Sequence, residues 1–441
     1  MNDINKMPTF NLKVVIQETG LKADTLRAWE RRYGLPDPQR TPGGHRLYSQ
    51  YDIEMIKWLM ERQKEGLRIH HAVEMWRNFE QAGQDPLQEM PVLSTPASHG
   101  VGIDFGGKVL EEIKQDWVNA CITFNEARAE NILAQAFARY PMEAVCTEVL
   151  RQGLSDIGSM WYEGSSSVQQ EHFASALAIR RLNALLAAAP LPSRKTKLLT
   201  ACPPGEDHIF PLLMITLFLR QRGYDVVYLG ANVPLDKFDL TVRTAKPNLV
   251  ISTAQQLHTA ANLSEVAKYM KHMGVPLAYG GLVFNVLPRL RNQISGYFLG
   301  EDLEGTVAAV ENILMHNPEI PVIDQVPLLY SEATAEFRDK QPSIAAATWD
   351  KLRPNGIQEK HLEIANQFLA QDIEAGLKFG DLDLLDYEFD WLADLLQSHE
   401  IPVEILPEYL SSYSQAVEEN LDERGRPIVD WLNRVARRDQ K

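Results

Sequence analysis

The sequence predicts a multidomain chain built from four dissimilar parts, and three observations carry that prediction. First, 441 residues exceed what a single hydrophobic core ordinarily holds. Second, the apolar spacing changes character along the chain. It is helical before residue 80 and again from 105 to 189, alternates strand with helix from 197 to 315, and returns to helical after 330. Third, proline-bearing stretches at 81–102 and 316–327 separate these regions. The predicted division is 1–80, a linker at 81–103, then 104–190, 191–316, a second linker at 317–330, and 331–441.

Composition narrows the class. A chain that is 45% hydrophobic and 23% charged reads as soluble and globular. It contains no run of about 18 apolar residues, so no membrane span is expected. Met1–Lys6 lacks the apolar core of a secretory signal. Cys121, Cys146 and Cys202 are too few and too far apart for a disulfide framework or a zinc site, and a cytoplasmic setting is expected. The net charge of −15 excludes a protein that coats nucleic acid over its whole surface. Charge is uneven, however: residues 1–80 hold 13 Lys+Arg against 11 Asp+Glu, and residues 331–441 hold 12 against 23. DNA contact therefore belongs to the amino end.

There, Phe10–Gly20 carries Leu12, Val15 and Ile16 at helical spacing, and Lys22–Gly34 follows as a second helix closed by glycine. Helix, turn and basic helix form the helix-turn-helix arrangement, whose second helix enters the major groove. Its polar face offers Thr25, Arg27, Arg31 and Arg32, whereas Trp29 reads as core. Arg40–Tyr48, with Thr41-Pro42-Gly43-Gly44-His45 at its centre, reads as a hairpin wing that carries Arg46 and Tyr48 toward phosphates. Leu26–Leu35 together with the Arg-Thr-Pro-Gly-Gly-His-Arg-Leu-Tyr wing resembles the winged-helix DNA-binding domain of MerR-family regulators over residues 9–77. The resemblance adds Tyr33 and His45 to the expected DNA-contacting set and implies double-stranded operator DNA as partner. The helical stretches between Ile53 and Phe79 look too short for the long dimer helix of that family, which places self-association elsewhere.

After the linker, helical segments near 105–122, 125–138, 142–160 and 168–189 predict a four-helix bundle. Trp161 ends the third, and Glu171 and His172 begin the fourth, which puts an aromatic plate and a polar pair at adjacent helix ends. A core tryptophan and a glutamate favoured by the helix dipole explain the same residues equally well.

Strands at 197–201, 225–229, 249–252, 276–279 and 296–299 alternate with helices, which predicts a doubly wound, five-stranded parallel α/β domain of flavodoxin-like order. The first strand delivers Cys202-Pro203-Pro204-Gly205-Glu206-Asp207-His208-Ile209-Phe210-Pro211, and Pro211 suits the first turn of the next helix. A histidine on such a loop stands where open α/β sheets bind ligands, and Glu206 is placed to fix its tautomer. The third strand ends in Ser252-Thr253-Ala254 and the fourth in Gly280-Gly281, where glycine permits close approach of a bulky ligand.

Together with Trp161 and Glu171-His172, these residues resemble the methionine-synthase type of cobalamin-binding module. The resemblance implies a corrinoid between bundle and sheet, with His208 replacing the ligand's own base on cobalt. It also implies corrinoid contacts from Gly205, Glu206, Asp207, Ser252, Thr253, Gly280 and Gly281. Pro211 stands where the family usually has glycine, and Ala254 where it usually has leucine. The full order of parts is similar to the CarH/CarA class of light-sensing repressors, which implies adenosylcobalamin as chromophore, Trp161 and Glu171 around its upper group, and a homo-oligomer that light dissociates. In that class a histidine follows the tryptophan and captures cobalt after photolysis; this chain has Tyr162, leaving His172 as a less direct candidate.

Beyond residue 330 the sequence predicts an acidic helical extension. One face would carry Leu362, Ala365, Phe368, Leu369 and Ile373, and others Leu384, Leu385, Trp391, Leu392 and Leu395, then Tyr409, Leu410 and Tyr413. His361 and His399 read as surface residues. The expected role is a non-enzymatic regulator switched by its corrinoid. A light-independent corrinoid-abundance sensor, a corrinoid carrier for methyl transfer, and a sensor with a further chromophore such as a bilin are the alternatives.

Overall fold

Short polar caps and buried apolar stripes set the elements, which a computed structural model describes for residues 7–36, 38–40, 46–64, 69–81, 107–303, 305–321, 323, 325–353, 359–386 and 405–438. They fall into two units, Met1–Gln115 with Glu148–Ser155, and Asp116–Thr147 with Asp156–Lys441.

At the amino end, β1 (Phe10–Asn11) leads into α1 (Leu12–Thr19), which Asn11 caps by accepting from Val14 N, and which Gly20 ends in the left-handed region. Helix α2 (Ala23–Tyr33) ends the same way at Gly34. The wing is a hairpin of β2 (Gln39–Arg40) and β3 (Arg46–Tyr48), and β3 also pairs with β1. Two helices, α3 (Gln50–Lys64) and α4 (Ile69–Gln81), complete it. Val15, Leu26, Trp29, Tyr48, Ile56, Leu59 and Trp76 form the core, with Trp58 and Tyr51 edge-on to Trp76 at 5.3 and 5.8 Å.

Four helical segments follow the linker. They are α5 (Gly107–Ile122), α6 (Glu126–Arg139), a third segment, and α9 (Val168–Ala187). The third starts as α7 (Met142–Ala144), widens into a π-helical stretch at Val145–Arg151, and continues as α8 (Gln152–Tyr162). Apolar spacing alone does not betray the π turns, because they shift the facing by only a fraction of a turn. Ser167 and Gln170 form a capping box that starts α9. Arg180 of α9 reaches Glu126 and Glu130 of α6 at 2.7 Å each, and Arg181 also pairs with Glu130.

The α/β part has β4 (Lys197–Ala201), α10 (Phe210–Gln221), β5 (Asp225–Gly230), α11 (Phe238–Ala245), β6 (Leu249–Thr253), α12 (Leu257–His272), β7 (Leu277–Gly280), α13 (Leu282–Val286), β8 (Tyr297–Phe298) and α14 (Thr306–His316). All neighbouring strands are parallel and run in the spatial order β5-β4-β6-β7-β8, the predicted doubly wound order. Every residue of β6 is buried, as expected for a central strand covered on both faces. Helix α9 packs along α10, which begins where the His208 loop ends, so the helical segment is docked beside that loop.

The extension contributes α15 (Leu328–Leu352), α16 (Glu359–Phe379), α17 (Ile405–Asn420) and α18 (Arg426–Arg438). Leu362, Leu369 and Ile373 are buried, but Phe368 is 53% exposed, which corrects its place on that face. The stripe instead runs through Asn366, which accepts a hydrogen bond from Tyr409 Oη at 2.9 Å. Trp391, Leu392, Leu395 and His399, and the side chain of His361, lie outside the described residues.

The second glycine after β7 has a different reason from the predicted one. Gly281 adopts φ +124°, and a methyl group there would lie 1.9 Å from the Ala254 carbonyl oxygen, so backbone rather than ligand crowds it. Gly281→Ala is expected to lower unfolding free energy by about 3 kcal/mol or more, from strain and overpacking together. Urea titration of the purified chain checks it, and a shift within error of wild type would refute the packing argument.

Candidate functional site

The carboxyl ends of β4, β6 and β7 meet on one edge of the sheet, where a switch in strand order opens a crevice. The loop after β4 turns tightly there at Pro204–Gly205. Gly205 adopts φ +80°, and its N–H donates to Asn232 Oδ1 at 2.8 Å, while Asn232 N donates back to Glu206 O at 3.0 Å. The Asn262 side chain on α12 donates to Pro204 O at 2.9 Å. These bonds leave the loop little freedom to place its charged residues.

Glu206 is wholly buried, yet its carboxylate is fully used. Oε1 accepts from His208 N at 2.9 Å and from His208 Nδ1 at 2.7 Å. Oε2 accepts from Gln255 N and Thr259 Oγ1, each at 2.7 Å. Burial alone would raise its pKa, but the hydrogen bonds and charge of His208, with those from Thr259 and Gln255, outweigh it and hold the carboxyl below its usual range. The Glu206 hydrogen bond is the main cause that raises the pKa of His208, with burial opposing it and Glu171 adding a smaller push in the same direction. Glu171 of α9 is therefore within electrostatic reach of the loop histidine.

With Nδ1 donating to Glu206, the neutral imidazole presents the Nε2 lone pair, and its side chain is 59% exposed. Beneath the loop lies a narrow apolar slot of only about 10 Å³ lined by Ala201, Cys202, Pro203, Val233, Leu235 and Phe238, with Ser252 at its wall. Ser252 Oγ donates to Ala201 O at 2.7 Å. Thr253 is buried, 3.9 Å from Cys202 Sγ. Burial pushes the Cys202 thiol up to about 12, so it stays protonated and offers no thiolate to a metal. Gly280 is buried, yet a methyl group there would meet no atom closer than 4.0 Å, so this strand end has room. Among the described residues no three His, Cys, Asp or Glu side chains gather as a metal cage. One imidazole beside an apolar slot fits a metal whose other positions are filled by a macrocycle.

The remaining expected residues are placed unevenly. His208, Glu206, Gly205 and Asp207 share the loop, and Ser252, Thr253, Gly280 and Gly281 line the adjoining strand ends. On the bundle, Trp161 is half-buried and Tyr162 buried at the end of α8. Glu171 accepts from Ser175 Oγ at 2.6 Å, whereas the neighbouring His172, a hundred degrees around α9, is exposed and does not share its environment. Thr259, Gln255, Asn232 and Asn262, which hold this loop by hydrogen bonds, are absent from the residues expected from sequence. The signal available was the polar run Gln255-Gln256-Leu257-His258-Thr259 directly after a wholly buried strand.

In the amino-terminal unit, Arg27 and Arg31 lie four residues apart on the exposed side of α2, opposite Leu26 and Trp29, with Thr25 and Arg32 flanking. Arg32 sits 5.8 Å from the Tyr33 ring centroid, and Arg77 caps the helix by donating to Tyr33 O at 2.6 Å. The wing departs from expectation. Tyr48 is buried and its hydroxyl donates to Glu30, so it braces the wing against α2 instead of reaching phosphates. Burial and the Glu30 carboxylate both raise its pKa. Arg46 also spends its guanidinium on Glu30, at 2.6 Å, and remains part-exposed. His45 lies outside the described residues.

Comparison with known proteins follows this geometry. Residues 10–78 match the MerR HTH family regulatory protein, and residues 113–186 and 196–310 match two B12 binding domain families. The chain is 28% identical over 276 residues to the HTH-type transcriptional repressor CarH of Myxococcus xanthus, a match covering 62% of this chain and 89% of that protein. Against the HTH-type transcriptional repressor CarA of the same organism it is 28% identical over 245 residues, or 55% and 75% of the two chains. The HTH-type transcriptional regulator MlrA of Escherichia coli (strain K12) is 51% identical over 45 residues, 10% of this chain and 18% of that protein. Among solved structures, the Methanosarcina barkeri monomethylamine corrinoid protein aligns with TM-score 0.40 and 18% identity, covering 46% of this chain and 99% of its own. None of the three family matches reaches past residue 310. The chain thus joins a MerR-type helix-turn-helix domain to a two-part B12-binding module, and in that arrangement it is similar to the transcriptional repressors CarH and CarA.

Proposed function

We propose that the corrinoid controls self-association of this regulator and thereby its hold on operator DNA, with adenosylcobalamin as ligand, light as signal and His208 as the protein's cobalt ligand. The observation that carries the reading is the His208 imidazole, its Nδ1 held by a buried, four-times bonded Glu206 and its Nε2 exposed beside an apolar slot. When bound, adenosylcobalamin supplies a cobalt–carbon bond that visible light breaks. Every other part of the switch is work for the chain's own residues. Glu206 fixes the tautomer and orientation of His208 and raises its basicity. The slot, with Ser252 on its wall, widens to receive the displaced nucleotide tail. Trp161 and Glu171, at the ends of α8 and α9, hold the upper group, and Glu171 already lies within electrostatic reach of His208.

A switch needs contacts made in one state and lost in the other. Trp161 and Glu171 supply them: with the upper group present they fix the ends of α8 and α9, and without it they lose a partner. Assembly multiplies reader heads on one DNA site, so loss of assembly weakens operator binding without altering any single head. On this reading the protein is a cytoplasmic repressor and not an enzyme, because its residues bind and orient but transform no substrate. No helix among the described residues is long and apolar enough to cross a membrane.

A second reading, a light-independent sensor of corrinoid abundance, is favoured by one observation: buried Tyr162, the residue after Trp161, stands where the light-sensing class carries a histidine. Illumination separates the two. Under the light reading, holoprotein loaded in the dark loses its assembled mass by light scattering after green light; an abundance sensor keeps it.

His208→Ala is expected to return bound corrinoid to its base-on spectrum, and Glu206→Gln to weaken binding by about 10–100-fold. Unchanged spectra and affinities in both variants would remove the ligand assignment. Arg27→Ala and Arg31→Ala should each weaken DNA binding and reduce the salt slope by about 1 while leaving the corrinoid spectrum as in wild type. Filter binding across a salt series provides the check, and an unaltered slope would take α2 out of the groove.

A further inference from the structure

The extension is anchored on the helix that supports the ligand loop. Helix α16 packs along α12, and the polar contacts between them cluster at the end of α12 nearest the loop. His258 Nδ1 faces Asp372 Oδ1 at 3.6 Å, and Lys378 Nζ donates to Asn262 Oδ1 at 3.1 Å. The same Asn262 amide then donates through Nδ2 to Pro204 O at 2.9 Å, and a methyl carbon on Gly205 would lie 3.6 Å from that Nδ2. Lys378, Asn262 and Pro204 thus form a continuous relay from the extension to the loop that carries Glu206 and His208.

The direction of the relay is fixed chemically. A lysine ammonium only donates, so it must take the amide oxygen, which forces the amide nitrogen toward Pro204. A charged donor also polarises the amide and strengthens its second bond. Among the described residues Lys378 forms no ion pair within 4 Å, although Glu265 and Glu374 lie near enough to favour its charge. Burial and Arg338 nevertheless lower its pKa. A part-buried lysine is held here on a neutral amide, which surface solvation alone would not favour.

We propose that Lys378 and Asn262 are positioning residues for the cobalamin ligand loop, so that the carboxy-terminal extension forms part of the corrinoid holder. The inference rests on the corrinoid reading of His208. Asn262 acts by holding the Pro204–Gly205 turn against α12, which sets where His208 presents Nε2, and Lys378 acts only through Asn262.

The test uses the full chain with hydroxocobalamin as probe, in wild type, Lys378→Met, Lys378→Arg, Asn262→Ala and the double Lys378→Met/Asn262→Ala. In the corrinoid-free protein, hydrogen exchange of the peptide spanning residues 203–209 should quicken in Lys378→Met and Asn262→Ala and stay near wild type in Lys378→Arg. Corrinoid affinity should fall by about tenfold in Lys378→Met, the size expected for one charge-assisted bond acting at a distance. The double variant should bind no more weakly than Asn262→Ala alone, because both lie on one path. Normal exchange in Lys378→Met, or additive losses in the double variant, would overturn the relay even if wild type binds corrinoid well. A wild-type chain that takes up no corrinoid would overturn the reading beneath it as well. Should Lys378→Met melt far below wild type, Lys378→Arg and Asn262→Ala decide the matter on the same exchange measurement.

Discussion

The buried carboxylate of Glu206 is the constraint on which the site depends. A carboxylate removed from water and left unpaired costs several kcal/mol, so it persists only where donors replace the lost hydration. Four donors converge here, from the loop itself, from the chain just past β6, and from the first turn of α12. Because those donors come from three separate segments, their positions become mutually dependent. The loop cannot move without breaking the shell, and α12 cannot shift along its axis without withdrawing Thr259. The lowered pKa of Glu206 gives this coupling a sign: its stabilisation is present above the ordinary carboxylate range and is lost as pH falls through the lowered value.

The amino-terminal unit uses the same device at smaller scale. Glu30, on α2, accepts from both Tyr48 and Arg46, and so fastens the wing to the helix that carries Arg27 and Arg31. In each unit a glutamate is spent internally so that a neighbouring basic group is presented outward at a fixed angle. In one case that group is an imidazole with its Nε2 exposed, in the other a pair of guanidinium groups. The residues that face a partner are thus few, and the residues that hold them still are more numerous and more deeply buried.

This division explains what the sequence made legible. The parallel sheet was readable because β4 and β6 are short, mainly apolar runs followed by turn residues, and the two amino-terminal helices because Gly20 and Gly34 stand just past their ends. The histidine loop was readable from the sequence neighbours Glu206 and His208. Thr259 and Asn262 were not, since they lie 53 and 58 residues from the groups they hold, and short-range pattern carries no such pairing. Tyr48 was misread for a related reason: alternation in a three-residue strand does not say which face meets the core, and the core claimed it. Phe368 failed in the opposite direction. Its apolar character suggested burial, but the stripe of α16 is set by Leu362, Leu369 and Ile373, and Phe368 falls outside that arc.

Pro211 shows how a departure from a family pattern can be absorbed locally. It occupies the first turn of α10, where backbone N–H groups have no intrahelical acceptor, so the donor that proline lacks is one the helix would not have used. Its fixed φ also suits the start of a helix, and Ile209, which precedes the helix without a side-chain cap, leaves that task to backbone geometry. The consequence lies in the direction of α10. With its start fixed by proline three residues after His208, the helix leaves the loop along one path, and that path packs it against α9, the helix bearing Glu171. A glycine there would loosen the joint between loop and bundle at the point where a ligand held by both would need it to be firm.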